Sequence, residues 1–120
     1  MIRVAVAGAA GRMGKTLIQA ISESDDLTLN AGFEHADHPR LGEDLGVLCG
    51  LGPLGVGLSS DPQSQADDFD VVIDFTIPSA TLALARVCSE NGNAMVVGTT
   101  GFNEQQSSAL EEYSQKTAIF

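Results

Sequence analysis

Three glycines at three-residue spacing are the first feature of this sequence that indicates a chemical task. Gly8, Gly11 and Gly14 occur in Gly-Ala-Ala-Gly-Arg-Met-Gly, after an apolar run and before a helical pattern. Glycine at such a turn lets the backbone approach a pyrophosphate, and the N-terminus of the following helix presents N–H donors and the positive end of its dipole. The spacing is not the commoner GxGxxG, so by itself it fits a purely structural turn equally well.

An acidic residue at the end of the next predicted strand favours the nucleotide interpretation. Glu34 lies 20 residues after Gly14, where a carboxylate in dinucleotide-binding folds accepts hydrogen bonds from the adenosine ribose. A lone glutamate at a strand end is ordinarily a solvated terminus. Together with the glycine turn, in the order strand, turn, helix and strand, it predicts a dinucleotide site.

Further candidate contacts lie at or after other predicted strands. Arg12 could reach a pyrophosphate or a 2′-phosphate, or it is simply an exposed residue at the start of a helix. Phe75 could pack against a cofactor ring beyond the end of its strand, or it is a core residue. Thr99 and Thr100, in the turn 98–101, offer backbone and hydroxyl groups to an amide, or they form a simple turn.

The elements that must position these residues alternate between strand and helix patterns, which is typical of βαβ units in a parallel sheet. The strands are predicted at 2–7, 27–33, 56–58, 71–75 and 94–97, and an apolar run at 117–120 begins another. The run 71–75 is apolar and β-branched, as in a strand buried on both faces. We therefore expect an α/β fold, a single Rossmann-type domain with a doubly wound parallel sheet between two helical layers.

Helices are predicted between these strands. The first runs from near Gly11 to residues 24–26, a brief one begins at 61–62, and longer ones cover 78–91 and 103–116. The loop over 35–55 is rich in glycine and contains at most one short helical turn. The first helix is expected to place four apolar residues on its sheet-facing side: Met13, Leu17, Ile18 and Ile21.

The composition limits the partners and the compartment. The chain has 120 residues, of which 43% are hydrophobic and 18% charged, as in one packed domain. Asp and Glu outnumber Lys and Arg by 16 to 6, and the resulting charge of -10 disfavours nucleic acids and anionic membranes. Cys49 and Cys88 have no metal-binding spacing, so we expect reduced thiols and no metal site. No signal-peptide pattern opens the sequence, which favours the cytoplasm.

Three segments together resemble the dihydrodipicolinate reductases (4-hydroxy-tetrahydrodipicolinate reductases) of bacterial lysine and diaminopimelate biosynthesis. They are residues 6–14, the run Asp74-Phe75-Thr76, and the turn Gly-Thr-Thr-Gly-Phe at 98–102. They occur in the family's order, and the resemblance covers the whole chain. It implies an NADH- or NADPH-dependent reductase that transfers hydride to a cyclic imine and so yields tetrahydrodipicolinate.

The resemblance also implies roles for individual residues. The turn would hold the pyrophosphate, Glu34 would bind the adenosine ribose, and Phe75 with residues 98–100 would lie along the nicotinamide. The cofactor-binding residues implied are Gly8, Ala9, Ala10, Gly11, Arg12, Met13, Glu34, His35, Phe75, Gly98, Thr99 and Thr100. No catalytic residue is assigned, because the family's proton donor and substrate contacts come from a C-terminal domain with E-x-H-H-x-x-K and G-T-A motifs, and neither motif occurs here.

The last residues and the resemblance together predict a fragment. The sequence stops within the apolar strand pattern at 117–120, so we expect residues 1–120 to be a dinucleotide-binding domain without its catalytic domain. Such a domain would bind the cofactor without turnover. Because the resemblance implies homotetramers assembled through the C-terminal domain, these residues alone are expected to be monomeric.

Position 35 departs from the pattern that the resemblance implies. Members that use NADPH well often carry Arg beside the ribose-binding Glu, where this chain has His35. Glu34 repels a 2′-phosphate, and a histidine offsets that repulsion only when it is protonated. We therefore expect NADH to be preferred at neutral pH, with NADPH binding improving from pH 8 to pH 6. Arg12 and Arg40 are alternative sources of positive charge.

Two other functions remain open from the sequence. A stand-alone NAD(H)-sensing module would use the same turn but would also need a surface for a protein partner. The cofactor domain of a homoserine or aspartate-semialdehyde type of dehydrogenase would share the fold, although the turn at 98–101 argues against it. Hydrolase and metalloenzyme functions lack a Ser-His-Asp set, a Cys-His pair or a metal cluster.

Overall fold

A computed structural model describes all 120 residues and shows a sheet of five parallel strands. The strands are β1 (Ile2–Ala7), β2 (Leu27–Phe33), β3 (Leu58–Ser59), β4 (Val71–Asp74) and β5 (Ala94–Val97). Their order across the sheet is β3-β2-β1-β4-β5. The chain therefore winds to one side of β1 and then returns to the other, which leaves a crevice at the carboxyl ends of β1 and β4.

Four α-helices and one 3₁₀ helix connect the strands: α1 (Arg12–Ser22), α2 (Leu45–Leu48), the 3₁₀ helix Gln63–Asp68, α3 (Pro78–Asn91) and α4 (Glu104–Ser114). Pro78 stands at the first position of α3, and Gly92 ends that helix with a φ of 78°, which glycine adopts without strain. A capping box between Asn103 and Gln106 begins α4. None of the helices has the length and apolar character needed to cross a membrane.

The sheet separates two apolar cores, as expected for three α/β/α layers. On β1, Val4 and Val6 face one core while Ala5 and Ala7 face the other. The first core receives side chains from α1 and α2, and the second receives side chains from α3, with residues of α4 packed against it. Because both faces are covered, the strands can be apolar throughout. The predicted Rossmann-type fold is confirmed.

The third strand begins two residues later than predicted. The carbonyl of Val56 accepts a hydrogen bond from the Leu45 N–H at 2.8 Å, and Gly57 forms an antiparallel bridge with Asp44. These residues therefore pair with the loop after β2, and only Leu58–Ser59 pairs with β2. The contacts that shift the strand join residues distant in sequence, so local patterning did not reveal them.

Several element ends also differ from the predicted ones. The helix expected after 61–62 is a 3₁₀ helix, α1 ends at Ser22, and β4 ends at Asp74, so that Phe75 lies beyond the strand. The apolar run 117–120 pairs with β5 through a parallel bridge between Met95 and Ile119. That pairing is the one expected of a further parallel strand.

Met13 does not pack on the sheet, contrary to the prediction. Its side chain is 47% exposed, whereas Ile18 and Ile21 in the same helix are buried. The neighbouring Gly14 is the residue that contacts the turn after β1. Because adjacent residues in an α-helix point about 100° apart, Met13 points away from the sheet.

The glycine-rich loop after β2 is organised by one carboxylate. Asp44 accepts hydrogen bonds from the backbone N–H groups of Gly46, Val47, Leu54 and Gly55, at 2.7 to 3.2 Å. These bonds hold the pKa of the Asp44 carboxyl below its usual value, and the bond from the Leu54 N–H has the largest effect. The loop therefore depends on a charged group.

Acid is expected to loosen this loop. Because the pKa of Asp44 is lowered in the folded chain, its stabilising effect is complete above the unfolded-state pKa of about 3.9 and is lost as the pH falls through the folded value. Amide-exchange protection of Gly46, Leu54 and Gly55 should fall in that window. Asp44→Ala should remove the same protection already at pH 7, whereas Asp37→Ala should not. Unchanged protection in Asp44→Ala would contradict this account.

Candidate functional site

A cleft of about 510 Å³ opens at the carboxyl ends of β1 and β4. Five of the residues predicted to bind a cofactor line it: Gly8, Gly11, Glu34, His35 and Phe75. This is the position at which doubly wound sheets place their ligands, because the connections on either side of the crevice diverge there. The fold thus brings together residues that the sequence separates by more than sixty positions.

The turn after β1 is fastened to the end of β2 by its own backbone. The N–H groups of Gly8 and Ala9 both donate to the carbonyl of Phe33, at 2.9 and 3.1 Å, and the Gly11 N–H donates to the Gly8 carbonyl at 3.0 Å. Gly8 has a φ of 76°, a conformation that disfavours a side chain. The turn therefore has a fixed shape before any ligand binds.

Gly14 lets α1 approach that turn closely. A Cβ added at Gly14 would overlap the carbonyl oxygen of Gly8 and would lie 2.7 Å from the Cα of Ala9. Both obstacles are backbone atoms, which cannot rotate away as a flexible side chain would. Glycine at position 14 therefore permits the close packing of α1 on the turn after β1.

The N-terminus of α1 has donors that no side chain caps. Gly11 is the residue that precedes the helix, and it makes no side-chain hydrogen bond to it. The first N–H groups of an α-helix have no acceptor within the helix, so those from Arg12 onward are suited to an anion at the cleft. The side chains of Arg12 and Met13 are exposed and do not line the cleft.

Glu34 connects the turn to the end of β2. Its Oε2 accepts a hydrogen bond from the Ala10 N–H at 3.1 Å, and its own N–H donates to the Ser59 carbonyl at 2.9 Å. The carboxylate is half-buried and borders the cleft. The glycine turn and the acidic residue that the sequence paired are therefore in direct contact.

Basic side chains follow Glu34 in the loop after β2. His35 is exposed, and its ring lies edge-on to that of His38 at a centroid distance of 5.3 Å. Arg40 donates to the Glu43 carboxylate from Nε and Nη2, both at 2.8 Å. This pairing raises the pKa of Arg40 and lowers that of Glu43. The Arg40 guanidinium is therefore engaged by a carboxylate of its own loop.

Phe75 links the cleft to the turn after β5. Its ring is 41% exposed and borders the cleft, and a Cβ added at Gly98 would overlap that ring. Glycine at position 98 therefore lets the ring lie against the end of β5. Thr100 is exposed, but the Thr99 side chain is buried and its hydroxyl accepts a hydrogen bond from the Thr76 N–H at 2.9 Å. The Thr99 hydroxyl thus makes its contacts inside the protein.

One wall of the cleft was not predicted. Ile77, Ala80 and Ala83, at the start of α3, line it, and Pro62 adds to the same wall. Ile77, Ala80 and Ala83 recur every three positions, and Ile77 is 63% exposed. The signal was present in the sequence as a second apolar face on α3, beside the face that packs on the sheet.

Comparison with known sequences identifies the family. Residues 2–120 match the family described as dihydrodipicolinate reductase, N-terminus. The chain belongs to this family. The 4-hydroxy-tetrahydrodipicolinate reductase of Chromohalobacter salexigens is 43% identical over 119 residues, which cover 99% of this chain and 44% of that protein. The chain therefore spans less than half the length of the curated dihydrodipicolinate reductase that it matches.

Solved structures support the fold of this dihydrodipicolinate reductase domain. A dipicolinate-bound dihydrodipicolinate reductase from Paenisporosarcina sp. TG-14 gives a TM-score of 0.75 at 23% identity, over 99% of this chain and 46% of that chain. The WlbA dehydrogenase from Thermus thermophilus, solved with NAD and alpha-ketoglutarate, gives a TM-score of 0.72 at 15% identity, over 100% and 40%. At these identities, the likeness concerns the fold alone.

Proposed function

We propose that this chain is the part of a 4-hydroxy-tetrahydrodipicolinate reductase that binds NADH or NADPH. The observation that carries the proposal is the contact between Glu34 and the Ala10 N–H at the edge of the cleft. It sets a ribose-binding carboxylate beside an uncapped helix N-terminus, and the two groups match neighbouring parts of a dinucleotide. Membership of the reductase family supports the same conclusion.

The residues of the turn fit a pyrophosphate. A Cβ on Gly8 or Gly11 would come within about 3.1 to 3.2 Å of a backbone carbonyl oxygen, so the tight shape of the turn favours glycine at both positions. The pyrophosphate is held by the N–H groups at the start of α1, which favour an anion although the chain carries a net charge of -10. The exposed Arg12 side chain adds a positive charge at the rim.

The adenosine half is assigned to the apolar part of the cleft. The volume of the whole cleft, about 510 Å³, lies within the range of about 300 to 1,000 Å³ that is usual for ligand pockets. Ile77, Ala80 and Ala83 supply an apolar surface for the adenine ring, while Glu34 accepts from the ribose hydroxyls. The nicotinamide half extends toward Phe75 and residues 98–100.

The cofactor supplies the hydride that reduces a cyclic imine, and the residues of this chain bind and orient it. The family's motifs for proton donation and substrate binding, E-x-H-H-x-x-K and G-T-A, do not occur in residues 1–120. We therefore propose that these residues bind cofactor without turnover, as a monomer in the cytoplasm. Calorimetric titration with NADH, combined with an assay of imine reduction, tests this. Turnover by these residues would contradict the proposal, and so would absence of NADH binding.

NADH is proposed to be the preferred cofactor at neutral pH. The Glu34 carboxylate opposes a 2′-phosphate, and Arg40, which is engaged by Glu43, does not offset it. A protonated His35 does offset it, so the Kd for NADPH should fall several-fold between pH 8 and pH 6 while that for NADH changes little. Calorimetry at three pH values measures both constants.

Two variants separate His35 from its neighbour. His35→Gln should abolish the pH dependence of NADPH binding, and His35→Arg should give tight NADPH binding at every pH in this range. His38→Gln is the matched control, because His38 is the edge-on partner of His35 but does not line the cleft. Equal affinity of the wild-type chain for both cofactors from pH 8 to pH 6 would refute the proposed preference.

A further inference from the structure

A buried carboxylate without an ion-pair partner lies directly behind the cleft. Asp74, the last residue of β4, is 0% exposed, and its Oδ2 has no hydrogen-bond partner. Its Oδ1 accepts a hydrogen bond from the Thr76 hydroxyl at 2.6 Å, a length typical of bonds to a carboxylate. Burying a carboxylate costs folding free energy unless hydrogen bonds compensate for the lost hydration. The groups that donate hydrogen bonds to Asp74 therefore matter for the stability of this region.

The hydrogen-bond partners of Asp74 form a connected cluster. The Thr99 hydroxyl oxygen accepts from the Thr76 N–H and from the Thr81 hydroxyl, both at 2.9 Å. The single proton of the Thr99 hydroxyl has two acceptors at 3.5 Å, the Asp74 backbone carbonyl and Asp74 Oδ1. The Thr76 hydroxyl therefore donates directly to the carboxylate, and the Thr81 hydroxyl donates to Thr99 beside it.

This cluster, made of Asp74, Thr76, Thr81 and Thr99, joins three elements at their ends. Asp74 ends β4, Thr81 lies in the first turns of α3, and Thr99 follows β5. The Asp74 carbonyl also accepts a hydrogen bond from the Gly98 N–H at 2.7 Å. The distance between the turn after β4 and the turn after β5 is thus set by buried hydrogen bonds.

The charge of Asp74 acts in a region of low polarity. The Cys88 thiol lies fully buried on α3, and burial raises its pKa to about 12, with the nearby Asp74 carboxylate adding to the increase. No cationic side chain pairs with the Asp74 carboxylate, and its side-chain hydrogen bonds come from hydroxyl groups. Loss of one hydroxyl should therefore disturb the whole cluster.

We propose that Asp74, Thr81 and Thr99 are positioning residues for the nicotinamide half of the cofactor. They hold the Phe75 ring and the backbone of residues 98–100 at the separation that this half requires. The inference rests on the proposed function. It further requires that the adenosine half, which lies against Glu34 and the wall of α3, is insensitive to the cluster.

Thr81 provides the cleanest test, because its side chain is 0% exposed and cannot touch a ligand in the cleft. Thr81→Val should raise the Kd for NADH about tenfold, while the Kd for ADP-ribose stays within about twofold. Thr81→Ser, which restores the hydroxyl, should restore NADH binding. Thr117→Val is the matched control, since the Thr117 hydroxyl bonds the Asn93 carbonyl outside the cluster. It should leave both ligands unaffected.

Two further measurements test the inference even if Thr81→Val does not fold or if ligand binding cannot be measured. Asp74→Asn keeps the shape of the side chain and should also weaken NADH more than ADP-ribose, so the test survives if Thr81→Val fails to fold. Amide exchange of Thr76 needs no ligand, and its protection should be lost in Thr81→Val and retained in Thr81→Ser.

Three results would overturn the inference. They are equal loss of both ligands in Thr81→Val and Asp74→Asn, unchanged binding of both, and a Thr76 amide that stays protected in Thr81→Val. If the wild-type chain binds both ligands and the variants bind them equally well, only the inference fails. If the wild-type chain binds neither ligand, the proposed function itself fails, and the positioning role with it.

Discussion

Replacing Gly14 by alanine is expected to cost about 3 kcal/mol of folding free energy and to abolish NADH binding. The added Cβ would overlap the Gly8 carbonyl oxygen and would come within 2.7 Å of the Ala9 Cα. Helix α1 would have to move away from the turn, and its N-terminal donors would leave the pyrophosphate position. Urea unfolding measures the stability, and calorimetry measures the binding.

The control for this substitution is Gly57→Ala. A Cβ at Gly57 would meet only the Gly42 carbonyl oxygen, at 3.7 Å, which is an ordinary contact. We expect its stability to stay within about 0.5 kcal/mol of the wild type, with NADH binding intact. A Gly14→Ala chain that is as stable as Gly57→Ala and binds NADH normally would show that the close approach of α1 is dispensable.

Glu34→Gln is expected to weaken NADH binding by about 10- to 100-fold, because a hydrogen bond to a charged group contributes about 1.5 to 3 kcal/mol. Glutamine retains an oxygen that can accept from the Ala10 N–H, so the turn should keep its shape. In the proposed binding mode, the variant loses the charge that would attract the ribose hydroxyls and repel a 2′-phosphate. NADPH should therefore lose less affinity than NADH, and the preference should shift toward NADPH.

Asp37→Asn is the matched control for the loss of charge. Asp37 is exposed in the same loop and does not line the cleft, yet its substitution changes the net charge by the same amount. Its binding of both cofactors should equal that of the wild type. If Glu34→Gln and Asp37→Asn weakened NADH equally, a general electrostatic effect would replace the specific contact at the ribose.

Most of the fold could be predicted because its signals are local. β2 begins and ends where the apolar pattern does, and α3 is bounded by Pro78 and by Gly92. The position of β3 could not be predicted in the same way, since the pairing of Val56 and Gly57 with the loop around Asp44 decides it. Tertiary contacts between distant residues were therefore the main source of error.

The candidate site was predictable to the extent that backbone turns define it. Gly8, Gly11 and Glu34 lie together on the cleft, as the spacing suggested. The cluster behind the cleft could not be predicted, because Asp74 belongs to a run with the pattern of an apolar strand and its partner Thr99 is distant in sequence. A carboxylate within an apolar run such as 71–75 conflicts with burial on both faces, and that conflict was the available signal.

The most direct test of the whole account is a titration of ¹⁵N-labelled chain with NADH, followed by amide chemical shifts. If the cleft binds the cofactor, saturable shifts are expected at Gly8, Ala10, Gly11 and Glu34, with smaller ones along the start of α3. Absence of shifts at millimolar NADH would contradict binding in the cleft, and so would shifts confined to α4. Either result would mean that the glycine turn serves only to join β1 to α1.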